Sequence, residues 1–120
     1  MSERLIYHCT TPQAWEEARR SGQYVHPSLQ EEGFIHLSQA DQLSGVVARY
    51  YADRDDMILL VLDADEAAQA LDLRWEATKK PKPDGTPDVY PHIYGAIPAA
   101  LVRRTLLLVR RKDGSIVLDG

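Results

Sequence analysis

Cysteine and long apolar runs are what this sequence most lacks. Cys9 is the single cysteine among 120 residues, so no internal disulfide and no cysteine-based zinc site can form, and packing must hold the fold. No apolar run approaches the roughly 18 residues that a membrane-spanning helix requires. The opening segment, MSERLIYHCT, lacks the basic region and long apolar stretch of a signal peptide. These absences predict a soluble cytoplasmic protein, with any membrane role peripheral.

Common catalytic signatures are missing as well. The chain has no Gly-x-Gly-x-x-Gly, no P-loop and no Gly-x-Ser-x-Gly, which excludes the usual nucleotide-fold and hydrolase motifs. It also has no His-x-x-His and no His-Glu-x-x-His. A zinc site would have to be assembled from His8, His36, His92 and Glu76 on separate strands. A metal-dependent hydrolase of that kind stays open as one interpretation.

Length and charge limit the classes further. A chain of 120 residues is expected to form one domain, 1–120, with a radius of gyration of roughly 14 Å. The formal net charge is -4; residues 1–73 carry 13 acidic and 5 basic side chains, and residues 74–120 carry 5 and 9. Because a long polyanion needs a concentrated basic surface, bulk nucleic acid is excluded as a partner. A small anionic or nucleotide-like ligand remains compatible, and the oligomeric state is left open.

Short apolar segments predict the strands of a mixed sheet. The run MILLVL is apolar throughout, which is typical of a strand covered on both faces near the middle of a sheet. A turn near Asp113 and Gly114 is expected to close a final hairpin. We expect strands at residues 4–9, 33–37, 57–62, 73–77 and 105–110.

Cap residues and helical spacing predict short helices between the strands. Thr11 offers an N-cap before Pro12, and Gly22 ends the first helix. Ser38, with Asp41 three residues later, is a variant capping box for the second. The helices are expected from Pro12 to Gly22, from Ser38 to about Asp53, and over 63–71, with loops at 23–33 and 78–91. The pattern favours the α+β class, with a compact mixed sheet core and short helices.

Histidine is the residue type that best indicates chemistry here, since imidazole serves as acid, base or ligand near neutral pH. Strand alternation places His8 on the face of Ile6, and Tyr7 with Cys9 on the other face, so His8 and Cys9 cannot form a dyad. A hydrogen-bonded core or rim histidine is the plainer alternative for any one of them.

The segment GFIHLS presents a second candidate face. Ile35 and Leu37 share one side of the strand, while Phe34, His36 and Ser38 share the other. If the aliphatic side is buried, His36 faces a cleft.

The segment YPHIYG follows the long loop 78–91, and loops of that length are usually functional or disordered. Tyr90, His92 and Tyr94 place rigid aromatics beside an imidazole, which favours a floor for a planar ring; a packed aromatic turn is the alternative. Strand alternation places Glu76 on the same face as Arg74. Its carboxylate points either to the site or, as is common for a carboxylate in a strand, to solvent.

With a first strand ending in Tyr-His, the GFIHLS segment and its Asp41-Gln42 helix start, and YPHIYG, the chain resembles a small bacterial family known as domain of unknown function 952. The resemblance runs from end to end. It implies a fold similar to that of ADP-ribosyltransferases, in which a cleft between two small sheets binds NAD.

The resemblance also implies roles for particular residues. In the transferase pattern a first-strand His or Arg anchors ribose, a middle strand supplies an aromatic or serine-rich segment, and a late strand supplies Glu. His8 matches the first position, Phe34, His36 and Ser38 the second, and Glu76 the third. The chain departs from the pattern in having no Glu-x-Glu, and its second segment reads His-Leu-Ser.

Related RNA 2′-phosphotransferases share that fold and hold a phosphate with basic residues. Lys79, Lys80 and Lys82 are similar in charge, although the accompanying motifs are absent.

Three function classes therefore stand. The first is an enzyme acting on NAD or a related nucleotide, with His8 and His92 holding ribose or phosphate oxygens and Glu76 stabilising charge. The second is a non-catalytic nucleotide-binding module, and the third is the metal-dependent hydrolase. The cofactor is unassigned, with NAD a candidate substrate. Candidate catalytic residues are His8, His36, Glu76 and His92; candidate substrate-binding residues are Phe34, Ser38, Tyr90, Tyr94 and Lys80; no metal ligand is assigned.

Overall fold

A computed structural model describes residues 4–50, 56–113 and 116–119. Helices and strands alternate as far as residue 77, the described elements after it are strands and one 3₁₀ turn, and the predicted mixed α+β class is confirmed. The strands are β1 Leu5–Thr10, β2 Gln23–Tyr24, β3 Ile35–His36, β4 Ile58–Asp63, β5 Leu73–Ala77, β6 Val89–Ile93, β7 Ile97–Pro98, β8 Arg104–Arg110 and β9 Ile116–Asp119. The helices are α1 Pro12–Ser21, α2 Ser28–Glu31, α3 Leu43–Tyr50 and α4 Ala64–Ala70, with 3₁₀ turns at Ala40–Gln42 and Ala99–Leu101.

Three antiparallel sheets organise these strands. The largest has the order β1-β4-β8-β9, the second β3-β6-β5, and β2 pairs with β7. The apolar strand β4 lies between β1 and β8, as its sequence predicts, and Leu59–Leu62 are completely buried. The closing hairpin of β8 and β9 is also present. Gly114, at its expected turn, and residues 51–55, at the expected end of the second helix, lie outside the described residues.

A backbone bridge joins the two larger sheets. Tyr7 and Ser38 exchange N–H···O bonds of 2.9 and 2.7 Å, and Leu37 donates to the carbonyl of Pro91 at 3.0 Å. The segment after β3 therefore runs between β1 and β6. This arrangement brings His8 of the first strand beside His36.

Two hydrophobic clusters cover the two faces of the large sheet. Successive side chains of β1 point to opposite faces of the sheet and so join different clusters. Ile6 belongs to one cluster and Cys9 to the other, which confirms the predicted placement of these two residues on opposite faces. One cluster contains Ile6, Ala18, Tyr24, Ile35, Leu37, Leu60, Leu62, Ala64, Ala67, Ile93 and Ile97. The other contains Cys9, Leu43, Val47, Met57, Leu59 and Leu108. The radius of gyration is 14.2 Å, close to the expected value.

The first helix begins and ends where its caps predict. The Thr11 side chain accepts a bond from the Ala14 N–H at 3.1 Å, and Gly22 follows at φ 89° with its N–H donating to Ala18. Such an N-cap contributes about 1 kcal/mol. The bonds join residues three or four positions apart, so the sequence alone specifies them.

The predicted cap of the second helix is wrong. The backbone N–H and C=O of Ser38 both form hydrogen bonds with the backbone of Tyr7. These bonds hold Ser38 in an extended conformation. Gln39 and Gln42 form the capping box instead: the Gln39 N–H donates to Gln42 Oε1 at 2.8 Å. A 3₁₀ turn at Ala40–Gln42 then leads into α3.

Two predicted loops also contain regular structure. Residues 23–33 include β2 and α2, which are too short to show a periodicity. Val89, Tyr90 and Pro91, assigned to the loop over 78–91, belong to β6. Pro91 is accommodated there although it has no N–H to donate, and its carbonyl accepts from Leu37.

Candidate functional site

A cleft of about 510 Å³ opens where β1, the segment after β3, and β6 meet the chain before and within α2. All four histidines of the sequence line it, although they come from separate parts of the chain. Hydroxyl groups and two carboxylates complete its polar lining. The polar lining residues are His8, His26, His36, His92, Tyr7, Ser28, Ser38, Thr78, Tyr90, Glu31 and Glu32.

His8 lies at the bottom of the cleft and is almost fully buried. Its Nδ1 is 2.6 Å from the backbone oxygen of His36, and its Nε2 is 2.7 Å from the Tyr24 hydroxyl. Burial lowers the pKa of His8 to about 4. The ring is therefore neutral at physiological pH, and both nitrogens are already engaged by the protein.

This environment also decides which nitrogen of His8 carries the proton. A carbonyl only accepts, so Nδ1–H donates to His36 and Nε2 is left with a lone pair. The Tyr24 hydroxyl is placed to donate to that lone pair, and it also lies 2.9 Å from Thr10 Oγ1. His8 thus tethers β3 to β1 through a buried chain of hydrogen bonds.

His26 lies two residues before α2 and lines the cleft. Its Nδ1 accepts the backbone N–H of Ser28 at 3.1 Å and lies 2.9 Å from the Ser28 hydroxyl. Burial, followed by the nearby His36, lowers the pKa of His26. The ring packs edge-on against His8, with centroids 5.2 Å apart.

His36 and His92 face each other across the β3–β6 pair, as their register requires. Their ring centroids are 5.1 Å apart, and Phe34 stacks on His92 at 4.2 Å. His36 Nε2 lies 2.7 Å from a carboxylate oxygen of Glu32, and both side chains are half exposed. Phe34 and His36 therefore form one aromatic surface with His92 of the YPHIYG segment.

Glu76 and His92 form a hydrogen-bonded pair on the same surface. The register pairs Glu76 with Tyr90 and Arg74 with His92, so Glu76 and His92 are diagonal neighbours on one face. Glu76 Oε1 accepts from His92 Nδ1–H at 2.9 Å and from the Tyr94 hydroxyl at 2.5 Å. The bond from Tyr94, and then that from His92, lowers the pKa of Glu76, and the same contact raises the pKa of Tyr94.

Tyr94 is held from its other side. The guanidinium of Arg74 lies 4.1 Å from the centre of the Tyr94 ring, and Arg74 also pairs with Asp72 at 2.9 Å. The carboxylate of Glu76 therefore points at the histidine cluster, one of the two alternatives that the sequence leaves open.

The charge of the cleft is not basic. The described lining residues include Glu31 and Glu32 but neither lysine nor arginine. Lys80 is exposed in the segment between β5 and β6, where its backbone oxygen accepts from the Thr78 hydroxyl at 2.9 Å, and its side chain does not line the cleft. Among the described lining residues, positive charge arises only where a histidine is protonated.

The predicted site residues thus divide into groups by position. His8, His36, Ser38, Tyr90 and His92 line the cleft, and Phe34, Glu76 and Tyr94 contact His92 or its partners. Sequence reasoning missed Tyr24 and His26. The His-Pro-Ser run at residues 26–28 was the available signal for His26, because a histidine two residues before a serine N–H can cap a turn.

No metal centre is formed by the described ranges. Within residues 4–50, 56–113 and 116–119, no three His, Cys, Asp or Glu side chains are grouped closely enough to hold a metal ion. The metal-dependent hydrolase therefore gains no support from this part of the chain. Among the helices that the structure describes, none is long and apolar enough to cross a bilayer.

Residues 9–105 match the profile of the family described as Protein of unknown function (DUF952). The chain belongs to this family. The DUF952 match runs from the end of β1 to the start of β8, so it includes His26, His36 and His92 of the cleft, whereas Tyr7 and His8 precede it.

Solved structures similar to this DUF952 chain include protein CC0527 from Caulobacter crescentus. Its crystal structure has a TM-score of 0.78 at 27% identity, covering 94% of this chain and 93% of that one. Its solution NMR structure gives 0.74 at 26% identity, covering 93% and 90%. No curated protein is significantly similar to the chain.

Proposed function

We propose that the histidine-lined cleft is the ligand site of a cytoplasmic, single-domain enzyme that acts on NAD or a related nucleotide, in an arrangement similar to that of ADP-ribosyltransferases. The observation that carries the proposal is the Glu76–His92 pair, with Nδ1 and Oε1 2.9 Å apart. A carboxylate that binds one imidazole nitrogen holds the other as a base.

The chemistry requires such a base. Cleavage of the bond between nicotinamide and ribose builds positive charge on the ribose while nicotinamide leaves with the bonding electron pair. An attacking hydroxyl or water then adds to the ribose carbon and must lose a proton. Nε2 of His92 accepts that proton, and Glu76 stabilises the resulting imidazolium, so NAD and water yield ADP-ribose, nicotinamide and a proton.

Carboxylates around the cleft supply the remaining electrostatic assistance. Glu31 and Glu32 line the cleft, and Glu32 bonds His36 at 2.7 Å. Negative charge near the reacting carbon stabilises the developing positive charge. In this proposal Glu76 acts through His92 rather than touching the ribose itself.

The rest of the nucleotide follows the shape of the site. The planar ring lies against Tyr90 and the aromatic surface of Phe34, His36 and Tyr94, while the Ser38 hydroxyl contacts ribose. The phosphates lie outside the cleft, toward the exposed Lys80, which is two residues after the lining residue Thr78. His8 orients the site through its bond to the His36 carbonyl.

A non-catalytic binding module is the second candidate. The engagement of His8 removes one of the two ribose or phosphate contacts that the sequence predicts for an enzyme, because both ring nitrogens bond the protein and neither is available to a substrate. The two candidates share the cleft and differ only in turnover.

Calorimetric binding of NAD and ADP-ribose to the full chain, together with chromatographic detection of released nicotinamide, tests the proposal. We expect binding and slow release of nicotinamide by the wild type. His92→Gln is expected to retain binding but to reduce release by about 100-fold or more, because it removes a general base. Glu17→Gln, on the exposed surface of α1, is the control and should match the wild type.

The outcomes separate the classes. Binding without release establishes the module in place of the enzyme. If neither NAD nor ADP-ribose binds at all, the nucleotide proposal is wrong.

A further inference from the structure

The hydrogen bonds of His26 leave only one of its nitrogens for a ligand. A backbone N–H can only donate, so the Ser28 N–H, 3.1 Å from Nδ1, requires a lone pair on Nδ1. In the neutral ring the proton then resides on Nε2. None of the described residues bonds Nε2, and no described buried side-chain nitrogen or oxygen lacks a partner, so Nε2–H is accessible to solvent on a ring that lines the cleft.

His92 is held in the opposite sense. The Glu76 carboxylate accepts, so Nδ1 of His92 carries the proton and Nε2 carries a lone pair. None of the described residues bonds this Nε2, and His92 lines the cleft, so the lone pair is accessible to a ligand. The cleft therefore presents a fixed donor from one wall and a fixed acceptor from another.

The surrounding charge restricts what can occupy that position. The described lining carries two carboxylates and no lysine or arginine. A carboxylate or phosphate placed between His26 and His92 is repelled by Glu31 and Glu32. A carboxylate also has no proton to donate to Nε2 of His92.

We propose that His26 contacts the ligand, and that His26 and His92 together select an uncharged group carrying both an acceptor and a donor, such as a carboxamide or a lactam edge, over a carboxylate or phosphate. This rests on the proposed function only in taking the cleft as the ligand site. The lone pair on Nε2 of His92 serves either an amide N–H or the proton of an attacking water, so the inference describes the binding of the amide and not the hydrolytic step. The inference assigns His26 a recognition role and specifies the chemistry of the group that enters.

Matched pairs of probes test the selection. NAD and nicotinic acid adenine dinucleotide differ only in a carboxamide against a carboxylate, and benzamide and benzoate repeat the comparison without a nucleotide. Calorimetry on the wild-type chain is expected to show about tenfold tighter binding of the amide in at least one pair, the size of effect that one well-placed hydrogen bond produces.

Two substitutions separate recognition from folding. Asparagine reproduces the position of Nδ1, so His26→Asn keeps an acceptor for the Ser28 N–H but removes the donor toward the cleft. Glutamine reproduces the position of Nε2, so His26→Gln keeps an amide donor in the cleft. We expect His26→Asn to lose the amide preference to within about twofold, and His26→Gln to retain most of it.

Long-range ¹⁵N NMR of the imidazoles provides the second readout, independent of any ligand. It is expected to show His26 protonated at Nε2 and His92 at Nδ1. Equal binding of amide and acid, or the opposite tautomer at His26, overturns the inference. If the nucleotides fail to bind but benzamide is preferred over benzoate, the nucleotide proposal fails and this inference stands; if none of the four probes binds, both fail.

Discussion

His8 donates from Nδ1 to the backbone oxygen of His36 across 2.6 Å, although the two residues are 28 positions apart. That bond connects the first strand to the second sheet beneath the cleft. Because the Tyr24 hydroxyl occupies the other ring nitrogen at 2.7 Å, a proton can be added to His8 only by disrupting buried hydrogen bonds.

Acid should therefore destabilise the protein through His8. The pKa of His8 is about 4 in the folded chain, below the value of 6.5 of an unperturbed histidine. As the pH falls the unfolded chain binds the proton first, so the stability that His8 contributes is complete above about pH 6.5. Its loss by pH 4 amounts to about 3 kcal/mol.

Urea denaturation of the wild type and His8→Gln across pH 4 to 7 measures this loss. Glutamine does not titrate, so its free energy of unfolding should fall less steeply between pH 6.5 and pH 4. At pH 7 the variant should be less stable by about 1–3 kcal/mol, because it leaves a buried partner unbonded. Parallel pH profiles would show that His8 is not the buried neutral group described above.

Replacing Glu76 by Gln should weaken the His92 site and change the acid response. The folded pKa of Glu76 is lowered, mainly by Tyr94 and then by His92. Its contribution is therefore present above the unfolded pKa of about 4.5 and is lost as pH falls through the lower folded value. Thermal unfolding of Glu76→Gln should show a lower midpoint than wild type at pH 7 and a smaller difference at pH 3. Glu17→Gln, which removes an exposed carboxylate, should show no such convergence.

Gln42 positions the strand that carries His92. Its buried amide donates to Asp88 Oδ1 and to the Val89 carbonyl, both at 2.8 Å, and its oxygen accepts from the Gln39 N–H. Gln42→Met leaves the Gln39 N–H and Asp88 Oδ1 without this partner, although Gln39 Nε2 still donates to the Val89 carbonyl, and it is expected to reduce the free energy of unfolding by about 2–3 kcal/mol. The exposed Gln30→Met is the matched control, and equal stabilities of the two variants in urea would contradict the role of Gln42.

Cys9 should report unfolding directly. It is the single cysteine of the chain and is buried, and burial raises its pKa to about 12. The thiolate is the reactive form, so labelling by Ellman's reagent should be slower than for a free thiol by about a thousandfold or more. Labelling in urea should be complete and fast. Because Cys9 also lines the cleft, rapid labelling of the native chain would contradict its burial against Leu43, Val47 and Leu59.

Local signals in the sequence account for part of this fold. The Thr11 and Gly22 caps act over three or four residues, and the apolar run at 57–62 marks an interior strand whatever its partners. Alternation also placed His8 and Cys9 on opposite faces. Each of these features depends on neighbours in sequence or on a period of two, so no knowledge of distant contacts is needed.

The capping of α3 and the extent of β6 required the tertiary structure. Ser38 has the composition of a cap, but Tyr7, 31 positions away, takes its backbone bonds. Tyr90 and Pro91 look like loop residues until β5 and β3 pair on either side of them. In both cases a long-range backbone hydrogen bond outweighed the local preference.

The candidate site divides in the same way. The sequence itself shows the residue types that carry the chemistry of the site, which are histidines and a carboxylate in strands. It also identifies His8, His36, Glu76 and His92 as candidates. Their pairing is not, because the contact of Glu76 with His92 depends on the register of β5 against β6. His26 acquires its donor nitrogen only when Ser28 begins α2, and His8 its neutral state only when the sheets close over it. Hydrogen-bond direction and burial decide the protonation of an imidazole, and both arise from contacts between residues far apart in sequence.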